Sequence, residues 1–201
     1  MEKQRIQVYA DEETKRQFVG EAVSTRRWGL AWDLGCNTGR YARLAAEHAD
    51  SVVAMDADHL TVDRLYSELR GEGDERILPL VMNLADPSPN LGWRGLERQA
   101  LAERRPVDLV LCLALIHHFV ITANIPLYEL VSWFGGLGSW LIIEFVTKDD
   151  PMVQRLLLSR EDIYNDYSLE AFEREIAQHF QEVARLTLPN GTRTLFFLRP
   201  L

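Results

Sequence analysis

The stretch "LAWDLGCNTGRYARLAAE", residues 30–47, decides the fold. An apolar run ends at Asp33, a short glycine-bounded loop follows, and the chain passes at once into a helical pattern. Strand, tight loop and helix in that order suit a nucleotide-like ligand, because the free N–H groups of the helix amino terminus face it. The glycine spacing narrows the choice. A dinucleotide fingerprint is G-x-G-x-x-G, whose second glycine lets the backbone approach a pyrophosphate. Here the loop reads Gly35-Cys36-Asn37-Thr38-Gly39, so Asn37 takes the second-glycine place, and the lysine and hydroxyl of a P-loop are also missing. The helix amino terminus that remains suits a smaller anion such as a carboxylate.

Outward from this loop, strand and helix patterns alternate. Strands are expected at 28–33, 51–56, 76–82, 107–115 and 139–146, and helices at 39–48, 58–70, 95–104, 124–138, 151–158 and 168–179. Residues 4–27 read as one or two helices, and 83–95, rich in Pro, Gly and Asn, as irregular chain. Pro126 falls in the first turn of its helix, and the nearly continuous apolar run at 139–146 suits a parallel strand covered on both faces. Two alternating runs flank Asn190-Gly191, a strong hairpin signal. The pattern is α/β: a Rossmann-like, doubly wound, mostly parallel seven-stranded sheet with a C-terminal antiparallel β-hairpin. A single domain over 1–201 is expected, with the helical segment 1–27 placed to act as a lid.

Composition excludes several classes. With 201 residues, 47% hydrophobic and 26% charged, the chain has material for a substantial core. No apolar run approaches the ~20 residues that cross a bilayer, so no membrane partner is expected. The polar start "MEKQRIQVYADEETKRQF" is not a signal peptide. Cys36 and Cys112 sit in expected core positions and are too few for a disulfide framework, which points to a reduced, cytoplasmic protein. A net charge of -8 disfavours nucleic acid, which needs a basic footprint. Arg98, Arg104 and Arg105 form one small basic cluster, read as a solvated helix end.

Asp33, at the end of the first strand, opposes phosphate but attracts an ammonium group. Together with the carboxylate-sized helix terminus, it describes an amino acid. Asp56, ending the second strand about 20 positions after the loop, is placed to accept both ribose hydroxyls. An amino-acid end and a nucleoside end together are S-adenosylmethionine.

"WDLGCNTGRYARLAAEHADSVVAMDAD" resembles motifs I and II of the class I S-adenosylmethionine-dependent methyltransferases, and the similarity runs to the final hairpin. Within that family, "CNTGRYARLAA", "NLADPSP", "LALIHH", "IEFVTKDDPMV" and "LPNGTRTLFFL" resemble a bacterial group that includes nodulation-protein-like methyltransferases. The resemblance implies that Gly35, Cys36, Asn37 and Gly39 shape the methionine site, with Asp33 on the amino group and Asp56, flanked by Ala57, on the ribose. It also implies adenine contacts at Asn83 and Leu84, and backbone contacts at Leu113 and Ala114. Tyr9 and Lys15 are the candidate contacts of the lid, Lys15 with the methionine carboxylate; a solvated amphipathic helix is the competing reading. Asp58 reads better as a helix N-cap than as a ligand contact.

A neutral hydroxyl or amine acceptor must lose a proton on methylation, and a histidine titrates in the useful range. His117 and His118 follow the fourth strand and are the candidate bases. Glu144, alone in the apolar "LIIEFV", is the third catalytic candidate, to orient a histidine or bind an acceptor amine; a satisfied structural carboxylate is the alternative. No metal-ligand spacing is diagnostic, and none is expected. Trp93, in irregular chain, is a candidate for lining an acceptor pocket. The expected function is methyl transfer to a small molecule at oxygen or nitrogen, with a homodimer left open. RNA or protein methylation, or a noncatalytic cofactor-binding subunit, are the alternatives.

Overall fold

The computed structural model describes residues 2–158 and 161–201, with side chains from Ala10 onward. Seven strands form one sheet: β1 (Trp28–Leu34), β2 (Ala49–Asp56), β3 (Ile77–Val81), β4 (Leu109–Cys112), β5 (Trp140–Val146), β6 (Phe180–Thr187) and β7 (Arg193–Pro200). Their spatial order is β3-β2-β1-β4-β5-β7-β6. The ladders from β3 to β5 are parallel, whereas β7 runs antiparallel to both β5 and β6. Among the described residues six α-helices accompany the sheet: α1 (Glu2–Ser24), α2 (Arg40–Ala46), α3 (His59–Glu72), α4 (Leu127–Gly136), α5 (Pro151–Leu157) and α6 (Leu169–Ile176). No described helix is long and apolar enough to cross a membrane.

The period-2 alternation of the central strands sorts the helices onto the two faces. Leu109 and Leu111 of β4 and Ile142 of β5 join Phe18, Val19 and Val23 of α1, Ala42 and Ala45 of α2, and Leu65 and Leu69 of α3 in one core. Val110, Cys112, Leu141, Ile143 and Phe145 point the other way, into Leu130 and Phe134 of α4, Val153 of α5 and Phe172 of α6. By the same alternation, Asp33 on β1 and Glu144 on β5 belong to the face that α1 covers.

The described part of the amino-terminal segment is one helix rather than two. Asp58 caps α3, its carboxylate accepting from the N–H groups of Leu60 and Thr61. Three expectations need correction. The helix at 95–104 is replaced by two short 3₁₀ turns, Trp93–Gly95 and Leu101–Glu103. Gly92 and Gly95 adopt positive φ, and the N–H groups of Glu97 and Arg98 both donate to the Leu91 carbonyl, so a local loop claims the backbone groups that a helix would need. Strand 107–115 shrinks to four residues because Ala114, at φ 52, turns the chain out of the sheet. The helix at 124–138 starts three residues later, after a π-helical turn at His118–Thr122. The hairpin forms, but Leu188–Thr192 separate its strands; Asn190 Oδ1 accepts from Thr192 N at 2.9 Å and so spans the loop locally.

Candidate functional site

The chain winds outward from β1 through β2 to β3, then returns to place β4 on the other side of β1. Beyond the carboxyl ends of β1 and β4, at that switch point, lies a cleft of about 900 Å³. Gly35, Cys36, Asn37 and Thr38 line it on the β1 side, Leu113 and Ala114 on the β4 side. Gly35 and Gly39 hold φ of 72° and 78°, where a side chain is strained. A Cβ at Gly39 would lie 2.5 Å from the Leu65 side chain, so this glycine sets the close approach of α2 to α3. Asn37, at φ 48, is the residue type that tolerates this region best after glycine, and its Oδ1 accepts from Thr38 N at 2.7 Å.

Asp56 braces the same loop. Its Oδ2 accepts from Asn37 N at 2.9 Å, and its Oδ1 from Asp58 N at 3.0 Å. Ala57 beside it is exposed. Met82 N donates to the Asp56 carbonyl at 2.8 Å, which brings the β3 end, with exposed Asn83 and half-buried Leu84, alongside. Asn83 Oδ1 accepts from Ala85 N in a local turn. Asn83, Leu84, Asp56, Ala57 and Gly39 stand on this rim rather than on the cleft wall.

Asp33 is the unusual group. It is 2% exposed and lines the cleft, yet its Oδ2 has no hydrogen-bond partner among the described residues. Burial pushes its carboxyl up to about 7; the Ala42 backbone and the Lys15 charge pull it down, and the Asp56 charge pushes it up. Cys36, also in the cleft wall, is driven up to about 12 by burial, so its thiol stays protonated.

Helix α1 spans the cleft mouth. Glu12 meets Arg40 at 3.1 Å on the α2 side, and Asp11 Oδ1 accepts from Asn190 N at 3.1 Å on the hairpin side. Between them Lys15 reaches down to an ion pair with fully buried Glu144, its ammonium 5.1 Å from the centre of the Tyr41 ring. Tyr9 lies outside the residues whose side chains are described. Glu144 also meets Arg193 at 3.5 Å, and Arg193 binds Asp150 at 2.7 Å. Asp150 in turn caps α5, accepting from Met152 N at 2.9 Å, and accepts from Thr192 Oγ1 at 3.0 Å. The carboxylate of Glu144 is therefore held by two cations, not by a histidine, and Lys15 is engaged by that carboxylate. Arg193 escaped the sequence reading because its partners are fixed only by the sheet order; its one signal was a cation opening a strand whose centre, Leu195–Leu198, is apolar.

The two histidines part company. His117 is buried, its Nδ1 without a partner among the described residues, while His118 is exposed at the start of the π-helical turn. Burial above all, then the charges of His118 and Arg193, holds His117 down at about 3. Neither ring lines the cleft, although Arg193, Asp150 and Lys15 all act on His117 electrostatically. Trp93 does not line it either: it stands 78% exposed on the far loop.

No model of a known protein family matches the chain. It is 38% identical over 183 residues to nodulation protein NoeA of Rhizobium meliloti (strain 1021), which takes in 90% of this chain but 38% of that protein. The chain thus spans well under half the length of this curated relative. Among solved structures it resembles the N-methyltransferase NodS of Bradyrhizobium japonicum WM9 in complex with S-adenosyl-L-homocysteine, with a TM-score of 0.67 at 12% identity over 94% of this chain and 87% of that one. It also resembles magnesium protoporphyrin IX methyltransferase from Synechocystis PCC 6803 with bound S-adenosylmethionine, with a TM-score of 0.62 at 14% identity over 96% of this chain and 82% of that one.

Proposed function

We propose that this chain, whose fold is that of the class I S-adenosylmethionine-dependent methyltransferases, binds that cofactor in the cleft and passes its methyl group to a small-molecule acceptor at oxygen or nitrogen. The observation that carries the reading is Asp33, a buried carboxylate with one free oxygen in a cleft wall. In its ionised form such a group is costly to bury without a cation, and a ligand can bring one. We assign the cofactor's ammonium as that cation, the positive end of α2 beyond the loop to its carboxylate, and Asp56 on the rim to its ribose. The loop N–H groups of residues 35–39 are already spent within the protein. Asn37 in place of a glycine supports S-adenosylmethionine over a dinucleotide. Calorimetry tests this directly: S-adenosylhomocysteine is expected to bind at micromolar concentration and NAD not at all. The reverse ranking removes the proposal.

When bound, the cofactor supplies a methyl group made electrophilic by the sulfonium charge, displaced in line as sulfur keeps the bonding pair. The protein's task is to align the acceptor, exclude water and receive its proton. Helix α1 serves as the lid, and its ties to Arg40, Glu144 and Asn190 exclude water from the cleft. Each cation in the described cleft wall, Lys15, Arg40 and Arg193, is already matched to a carboxylate, and the wall carries three further carboxylates, Asp11, Asp33 and Asp149. An anionic acceptor would find no free counter-charge there, so a neutral or cationic acceptor is favoured.

His117 is the group we assign to the acceptor's proton, because its buried Nδ1 has no partner among the described residues. Its ring stands behind the cleft wall, so the proton would reach it through an intervening water, and its low basicity makes it a relay rather than a store for the charge. Held down at about 3, it stays neutral through the working range, and activity should show no titration near the ordinary histidine value. His117→Asn is expected to lower kcat by about 100-fold with cofactor affinity unchanged, and His118→Asn by less than about threefold. Equal, small effects in steady-state assays would discard His117 as the base.

A further inference from the structure

S-adenosylmethionine and the product it leaves behind differ by one methyl group and one positive charge. In the transfer, the acceptor's lone pair forms the new bond to the methyl carbon and the S–C pair returns to sulfur. The acceptor's proton leaves through His117 to solvent, and the sulfonium has become a neutral thioether. Both forms carry the same ammonium and carboxylate, which cancel in net charge, and the same ribose and base. The ratio of their affinities therefore reads the electrostatic potential that the protein sets at sulfur.

The cleft wall makes that potential negative. Six carboxylates line its described part, Asp11, Glu12, Asp33, Glu144, Asp149 and Asp150, against three cations, Lys15, Arg40 and Arg193. The balance stays negative with Asp11 set aside. Each cation is pinned, Lys15 on Glu144, Arg40 on Glu12 and Arg193 on Asp150, so none turns to a ligand without breaking a pair. No other wall group offsets the excess. Neither histidine lines the cleft, and burial pushes Cys36 and Tyr41 up to about 12, so thiol and phenol stay neutral. Asp149 is exposed on the rim, and its carboxylate makes no ion pair among the described residues. A space of about 900 Å³ is roughly 12 Å across, so a charge at its centre stands within one Debye length of the whole wall at physiological salt.

We propose that the cleft sorts the two forms of its cofactor by charge, holding the sulfonium and releasing the thioether, so that turnover escapes inhibition by its own product. The sorting rests on S-adenosylmethionine being the ligand of this cleft, as read above. It needs no particular acceptor, since the charge that distinguishes the two forms lies on the cofactor alone.

Calorimetry on the full chain with S-adenosylmethionine, S-adenosylhomocysteine and sinefungin tests it. Sinefungin carries an ammonium where the sulfonium stands and has no methyl group to give. In about 20 mM salt the two cationic ligands are expected to bind about tenfold tighter than the thioether, and in about 0.5 M salt within threefold of it, because screening shortens the reach of the wall. Asp149→Asn should cut the low-salt ratio by about threefold. Glu75→Gln makes the same change of charge on an exposed residue at the amino end of β3, the opposite end of the sheet from the cleft, and should leave the ratio alone. S-adenosylhomocysteine binding as tightly as the cationic ligands at low salt, or a ratio that neither salt nor Asp149→Asn moves, overturns the proposal. So does sinefungin siding with the thioether, since the gain would then come from the methyl group. If none of the three ligands binds, the cofactor reading itself fails and the sorting falls with it.

Discussion

Asp33→Asn should make the protein more stable and nearly unable to hold S-adenosylhomocysteine. The free energy behind both effects is the same. In the unliganded chain burial raises the Asp33 carboxyl from its ordinary 3.8 to about 7. A carboxyl raised on folding contributes stability that is complete below the unfolded value and lost as pH climbs through the folded value. The unliganded wild type should therefore weaken between about pH 4 and pH 7 and level off above. The amide of the variant carries no proton to lose, so at pH 8 the variant should gain about 2 kcal/mol, a few degrees in Tm, and near pH 4 almost nothing. Binding moves the other way. A ligand ammonium needs the ionised carboxylate, so wild-type affinity should rise almost tenfold per pH unit up to about pH 7 and then flatten, with a proton released on binding below that point. The variant should bind on the order of 100-fold more weakly and show no such pH dependence. Calorimetry in two buffers of different ionisation enthalpy reads the proton count. A variant that is both less stable and still tight-binding would mean that Asp33 is a structural carboxylate.

Lys15→Ala should cost about 3 kcal/mol and release the lid. Breaking a buried pair by removing one partner leaves the other charge uncompensated, and fully buried Glu144 would keep only the longer contact to Arg193. The informative variant is Lys15→Ala/Glu144→Leu, which removes both charges and suits the apolar strand. It should recover most of the lost stability, since apolar replacement of a buried pair is often neutral. It should not recover the lid, whose remaining ties at Glu12–Arg40 and Asp11–Asn190 are partly solvated. Stopped-flow release of S-adenosylhomocysteine should thus be faster by about tenfold in both variants, while urea unfolding separates them. If the double variant releases ligand at the wild-type rate, the Lys15–Glu144 pair is a stability element alone.

Much of this architecture is written locally. The alternation of Trp28–Leu34 and Arg40–Ala46 across a glycine loop, the Asp58 cap and the apolar run of β5 each express a preference spanning only a few residues. The places where the reading failed are those where distant or loop chemistry prevailed. "GLERQALAER" has helical periodicity, but the turn at Gly92–Gly95 and the Leu91–Arg98 bridge take its hydrogen bonds first. At Ala114 nothing in the side chain announces a positive φ. The loop residues of the cleft and Asp33 were legible because their spacing is tied to one β–α unit. The Lys15–Glu144–Arg193–Asp150 chain was not, since 129 residues separate its first pair and the last arginine enters from a strand laid between two others. The histidine pair was visible, but which ring is buried depends on the π-helical turn.

Strand β7 is synthesised after β5 and β6, yet it occupies the slot between them. Until it inserts, β5 has an open edge and β6 finds its ladder only in β7 itself, so the chain displays a sticky border that invites mispairing. The same insertion delivers Arg193 and brings Asn190 against α1. Sheet closure and the hairpin side of the cleft thereby depend on one strand, and a chain that has not placed β7 lacks Arg193 and Asn190 at its ligand site.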